Sequence, residues 1–331
     1  MKASHQIDPD DLPTNTSANE HFQAVVDKAV NRRGFLKSGL GLSAAVFLAG
    51  PLAACGGSSS KDDGGPTPPA SLLGFTAIPI STADTVAIAA GYTAAVLAPW
   101  GAPLFTAGPG SSWAGDGSDS AAAQARQVGD NHDGIHYFPL ANSNTEGLLV
   151  MNHEYTTTTD AGIYAWLFGA NDAGPMTTER AEKAINAHGV SVIHIRRNTA
   201  GKWEIVLDSA YNRRITAATP MELTGPAAGA DLLKTSADPS GRQVLGTFNN
   251  CGNGWTPWNT YLTCEENFNN YFGTTSGADS RNDAQKRYGL SGTSTFYGWE
   301  QVVDRFDYVK EPNESNRFGW IVEIDPFNPG S

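Results

Sequence analysis

Four short segments of the chain concentrate the residue types that hold metal ions. The first, residues 129–134, reads GDNHDG and stands just ahead of an apolar stretch. Asn131 and Asp133 crowd oxygen donors into a turn, which suits a hard cation such as calcium, a collector of about six to eight oxygens. The same residues also cap their own backbone in ordinary polar turns. The second segment, Asn152-His153-Glu154, closes a run that is apolar through Leu148, Leu149, Val150 and Met151. On an extended chain Asn152 and Glu154 share one face and His153 takes the other, so a pair of oxygen donors points one way. The third and most specific segment, residues 249–273, reads NNCGNGWTPWNTYLTCEENFNNYFG. Here Cys251 is placed in a turn with Gly252 and Gly254, and a strand follows that ends in Cys264-Glu265-Glu266. Adjacent glutamates face opposite sides of a regular strand, so both serve one site only where the strand bends or bulges. The fourth segment, residues 317–328, reads RFGWIVEIDPFN and puts Glu323 and Asp325 on one strand face.

Cys251 has two readings. As a thiolate it is a soft ligand that favours a transition metal over calcium. In an exported protein it could instead be joined to Cys264 as a disulfide. With three cysteines in all, a disulfide-dense scaffold and a multi-cysteine zinc module are both excluded. No GxSxG elbow and no Walker A glycine loop is present, and no Ser, Thr or Cys stands out as a covalent nucleophile.

The elements that must position these residues read as β. Residues 134–140 and 147–154 flank a polar ANSNTE linker as one hairpin, and 190–197 and 202–208 flank NTAG as a second. Further strands are predicted over 243–249, 259–265 and 318–324, with a single helix over 178–188 that stops at Gly189. Two long polar loops cover 108–130 and 269–295. Successive hairpins without alternating helices favour an all-β propeller or sandwich over a doubly wound sheet; no blade repeat is legible. The 331 residues carry 34 acidic and 22 basic side chains, a net charge of −12. Such a balance argues against binding to nucleic acid, whose phosphates attract Lys and Arg, and in favour of cations as partners.

The N-terminus reads as an address. Residues 31–37 (NRRGFLK) precede a mostly apolar run over 39–54, too short for a spanning helix. Arg32 and Arg33 followed by Phe35, Leu36 and Lys37 match a twin-arginine export signal, so residues 1–54 are expected to be a signal peptide read by the twin-arginine machinery. The run ends in Leu52-Ala53-Ala54-Cys55, which resembles a lipobox in which Cys55 becomes the lipidated N-terminus. Residues 55–71 are then a Gly/Ser/Pro tether, followed by a folded domain over 72–331. Together these features predict a periplasmic or cell-envelope protein anchored by lipid.

The third segment, with TFNN ahead of it, resembles the signature stretch of the PhoX-type alkaline phosphatases, a family of exported bacterial phosphomonoesterases. The blocks AAGYTAAVLAPWGAPL, DNHDGIHYFPL, GLLVMNHEYT and RFGWIVEIDPFNP carry the same likeness in order over roughly residues 75–330. The resemblance implies a β-propeller with iron and calcium at a central site, where phosphate monoesters are bound and hydrolysed. It implies that Cys251 is an iron ligand and that Glu265 or Glu266 belongs to a ligating Glu-Glu element. Asn131, Asp133, Asn152, Glu154 and Glu323 fall in blocks that would line the site. Family members continue beyond the last block, so the chain is expected to represent the N-terminal half, with an incomplete propeller. The alternative from another class is a calcium-stabilised propeller lipoprotein that binds a ligand or partner without catalysis.

Overall fold

The computed structural model describes residues 76–156, 167–169 and 174–330. The predicted signal peptide and the tether with Cys55 lie outside the described residues. Residues Ile78–Ser331 make one compact unit. Its described residues are mostly strand and turn, with few and short helices.

The largest sheet grows from the two predicted hairpins. β1 (His132–Pro139) and β2 (Glu146–His153) pair antiparallel, and β2 pairs in turn with β3 (Gly189–Arg197). β4 (Trp203–Ile205) and β5 (Arg213–Ile215) both pair antiparallel with β3, at opposite ends of it. β2 is apolar on both faces because both are covered. Leu148 and Val150 join Phe138, Val190, Val192 and Ile215 in one cluster, while Met151 joins Leu104, Val128, Ile193 and Ile195 in another. β6 (Pro220–Glu222) and β7 (Gln243–Leu245) form a separate two-stranded ribbon.

The second sheet is antiparallel in the order β10 (Ile321–Ile324), β9 (Tyr261–Glu265), β8 (Asn250–Trp255). Tyr261 and Ile324 from this sheet pack into the Phe138, Leu148 and Val150 cluster, which sets β8 beside β1. Gly134 makes that approach possible, since a Cβ there would come within 2.6 Å of the Asn253 side chain. An aromatic cluster of Phe248, Tyr271, Phe272, Trp299, Phe306 and Phe318 packs on Ala181, Ala184 and Ile185 of helix α2 (Thr178–Ala187).

α2 begins where the sequence places it, with the Thr177 hydroxyl accepting from the Arg180 N–H. It ends at Ala187, and the chain turns into β3 at Gly189, whose φ of +96° and close approach to the Ile215 carbonyl leave no room for a side chain. Several expectations need correction, among them the predicted strands over 243–249 and 318–324, which are shorter, Gln243–Leu245 and Ile321–Ile324. The segment at Cys251 is not a turn: Cys251, Gly252 and Gly254 lie within β8, which pairs with β9 at Asn250 and again from Asn253 to Trp255, with Cys251 and Gly252 in the irregularity between. The loop over 108–130 contains the helical turn α1 (Ala121–Gln124), and that over 269–295 contains α3 (Asp283–Arg287), closed by an Asn282 and Gln285 capping box. The strand over 259–265 begins only at Tyr261, because Asn259, at a φ of +68°, is in the turn that connects it to β8.

Candidate metal centre

Two antiparallel hairpins of the same local design supply the site. In the first, Asn131 has a φ of +41°, in the left-handed region where Asn is tolerated, and its carbonyl accepts from the Glu154 N–H at 3.0 Å. In the second, Asn249 has a φ of +52°, and its carbonyl accepts from the Glu266 N–H at 2.8 Å. Just beyond each asparagine the strand register shifts, between His132 and Ile135 in β1 and between Asn250 and Asn253 in β8. Asp133 lies in the first irregularity and Cys251 in the second. Such bulges re-aim a side chain that regular alternation would send elsewhere. Each hairpin therefore contributes one donor from a bulge and one glutamate just past the end of its returning strand.

The four side chains converge. A carboxylate oxygen of Asp133, one of Glu154 and the Cys251 Sγ all lie within 4.8 Å of one another. The Cys251 thiol has one proton to give and two carboxylates, of Asp133 and Glu266, to accept it; Asp133, then burial, then Glu266 push its pKa up to about 12. Burial raises the pKa of Glu154, and the negative charges of Asp133 and Glu266 raise it further. Asp133 and Glu266 are exposed, Glu154 and Cys251 half-buried, so the cluster opens to solvent on one side.

This chemistry fits a metal ion. Carboxylates and a thiol packed together oppose each other's ionisation, and a bound cation reverses the sign of that interaction, deprotonating a coordinating thiol outright. A set of three carboxylates and one sulfur suits a transition metal at the sulfur with harder cations on the oxygens. Cys251 and Cys264 are both free thiols.

The remaining sequence candidates fall into different places. Glu265 faces away from Glu266, as alternation requires; its carboxylate accepts from the N–H groups of Gly319 at 2.9 Å and Trp320 at 3.2 Å. Burial raises its pKa to about 7. Glu323 accepts from Trp258 Nε1 at 2.8 Å and from Thr260 Oγ1 at 2.5 Å, which lower its pKa, and it stands apart from the cluster of Asp133, Glu154 and Cys251. The Asn131 side chain donates to the Tyr155 carbonyl at 2.9 Å. Asn152 is fully buried, and its Nδ2 donates to the carbonyl of Cys251 at 2.7 Å. Two further participants do not stand out in the sequence. Tyr261 donates from beneath the site, and Asn249 anchors Glu266. For Asn249 a signal exists, the shared pattern of Asn131-His132-Asp133-Gly134 and Asn249-Asn250-Cys251-Gly252.

An apolar cavity of about 530 Å³, lined by Leu232, Phe268, Tyr288, Phe318 and Trp320 among others, lies elsewhere; none of the four converging donors lines it.

A family model described as Alkaline phosphatase PhoX matches residues 73–331. Among solved structures, Pseudomonas fluorescens PhoX in complex with vanadate, a transition state analogue, is similar at 46% identity and a TM-score of 0.72. The likeness covers 78% of this chain and 43% of that one, so the chain spans less than half the length of the protein it matches. No curated protein matches the chain.

Proposed function

The chain belongs to the PhoX alkaline phosphatase family, and from that premise we propose that its converging acidic centre is part of a metal-dependent phosphomonoesterase site that releases inorganic phosphate. One observation carries the reading: Asp133, Glu154 and Cys251 lie within 4.8 Å of one another, with Glu266 hydrogen-bonded to the Cys251 thiol. A phosphate ester is an anion, and these side chains alone would repel it. The site becomes attractive to phosphate only when cations outweigh its negative charge. The 46% identical P. fluorescens PhoX was solved with vanadate, described as a transition state analogue, which supports phosphoryl chemistry in the family.

We assign Cys251 to iron, with Asp133, Glu154 and Glu266 holding iron and calcium. Bound there, such cations would supply Lewis acidity toward phosphoryl oxygens and lower the pKa of water. The protein's own residues then have defined tasks. Cys251 would hold the metal as a thiolate, its proton passing to solvent on the exposed side of the cluster. Asn131 and Asn249 fix the backbone of Glu154 and Glu266 through the paired carbonyl contacts. The exposed side of the cluster is the direction from which an ester would approach.

The finer expectations complete the proposal. The two sheets are taken as blades of a β-propeller, the N-terminal segment as a twin-arginine signal, and Cys55 as a lipid anchor that holds the enzyme in the periplasm or cell envelope. Free Cys251 and Cys264 favour the catalytic reading over the calcium-stabilised binding lipoprotein, for which a disulfide would have been the marker. Hydrolysis of p-nitrophenyl phosphate at alkaline pH, measured on metal-loaded protein with and without chelator, tests the reading. Turnover abolished by chelator and restored by iron and calcium is the expected result. Turnover indifferent to chelator would refute it.

A further inference from the structure

Beneath the four donors lies a buried polar connection between the strands that carry them. Tyr261, on β9, is fully buried, and its hydroxyl is 2.9 Å from the carbonyl of Gly134 and 2.9 Å from Oδ1 of Asn152. Asn152, also fully buried, uses its Nδ2 to donate to the Cys251 carbonyl at 2.7 Å. The carboxamide has one orientation in this chain, since only its NH₂ can donate to the Cys251 carbonyl; its Oδ1 then shares the single hydroxyl proton of Tyr261 with the Gly134 carbonyl in a three-centre bond.

The positions joined are those of the donors. Gly134 follows Asp133, Asn152 lies two residues before Glu154 on β2, and the strand bearing Tyr261 ends one residue before Glu266. Both irregular stretches of strand, which lack the regular ladder that would otherwise hold them, are therefore tied to a common pair of side chains. The surroundings are Phe138, Leu148, Val150 and Ile324, an apolar cluster in which a hydrogen bond is strong and an abandoned polar partner is costly.

We infer that Tyr261 and Asn152 are positioning residues that set the spacing of Asp133 and Cys251 for metal binding, an inference that rests on the metal-site reading above. They act through backbone carbonyls and need not touch the metal. Partners of this outer kind typically change metal affinity by about 10- to 100-fold when removed.

The test is titration of the metal-free protein with Co²⁺, a probe whose thiolate charge-transfer absorption reports coordination by Cys251. Tyr261→Phe keeps the ring in the core and removes only the hydroxyl; Asn152→Ala removes the carboxamide. Each is expected to raise the Co²⁺ dissociation constant by about 10- to 100-fold while the fold, followed by far-UV circular dichroism, persists. The double variant should be no weaker than the weaker single variant, because both substitutions cut one chain. Wild-type affinity and absorption in folded Tyr261→Phe would overturn the inference, as would full additivity. If Tyr261→Phe does not fold, Asn152→Ala alone decides, by the same affinity criterion. Wild-type protein without the absorption band would overturn the metal-site reading and this inference together, an outcome distinct from loss confined to the variants.

Discussion

At the scale of single residues, Glu265 and Glu266 show how adjacent identical side chains acquire different work. Alternation separates their faces, and the structure takes Glu266 to the cysteine and Glu265 to the N–H groups of Gly319 and Trp320. Glu266→Gln is therefore expected to weaken metal binding by at least about 10-fold, whereas Glu265→Gln should leave it within about twofold; equal losses measured by equilibrium dialysis would contradict the division. The opposite facing is legible in the sequence, because a period of two is geometric. Which face looks at Cys251 is not, since that depends on the register between β8 and β9 and on the irregularity at Cys251. Asn152 illustrates a different limit. Its residue type and its position at a strand end are equally consistent with a ligand and with a support, and only its contact with the Cys251 carbonyl distinguishes them.

At the scale of elements, the helix and the two hairpins are readable because each carries local signals: Thr177 at the cap, Gly189 at the stop, and polar linkers between apolar runs. β8 is not readable. Its sequence NCGNGW has two glycines and little β-propensity, and it becomes a strand through pairing with β9 and packing beside β1. The repeat of asparagine, bulge donor and terminal glutamate in two hairpins is masked in the sequence because the donors differ, Asp133 in one and Cys251 in the other. A buried chain of hydrogen bonds extends from the second hairpin to α2. Asn249 Nδ2 donates to the Tyr271 hydroxyl, which lies 3.0 Å from His188 Nε2, and His188 Nδ1 donates to the Ala184 carbonyl. Burial lowers the pKa of His188 from 6.5 to about 4. The folded form thus disfavours the proton, so His188 contributes stability that is present in full above pH 6.5 and is lost as pH falls toward 4. The difference is about 3 kcal/mol. Urea unfolding at about pH 7 and about pH 4.5, either side of most of that loss, should show a decrease in wild type that is smaller in His188→Gln. The same pH dependence in both proteins would remove His188 from the account.

At the scale of the whole molecule, composition and charge already narrow the function. A net charge of −12 with few cysteines points to cations held largely by oxygen, and the exposed cluster at Asp133, Glu154, Cys251 and Glu266 is where the described residues gather such donors. The mostly β architecture follows from the hairpins, while the way the sheets assemble does not, because it depends on apolar faces such as that of Tyr261 and Ile324 meeting partners distant in sequence. The central claim is that Cys251 holds the iron on which hydrolysis depends. It is tested most directly by purifying wild type and Cys251→Ser in parallel and measuring bound iron and p-nitrophenyl phosphate turnover on the same samples. The account predicts that iron and turnover fall together in the variant, each by at least about 10-fold. Iron content and turnover both equal to wild type in Cys251→Ser would contradict it.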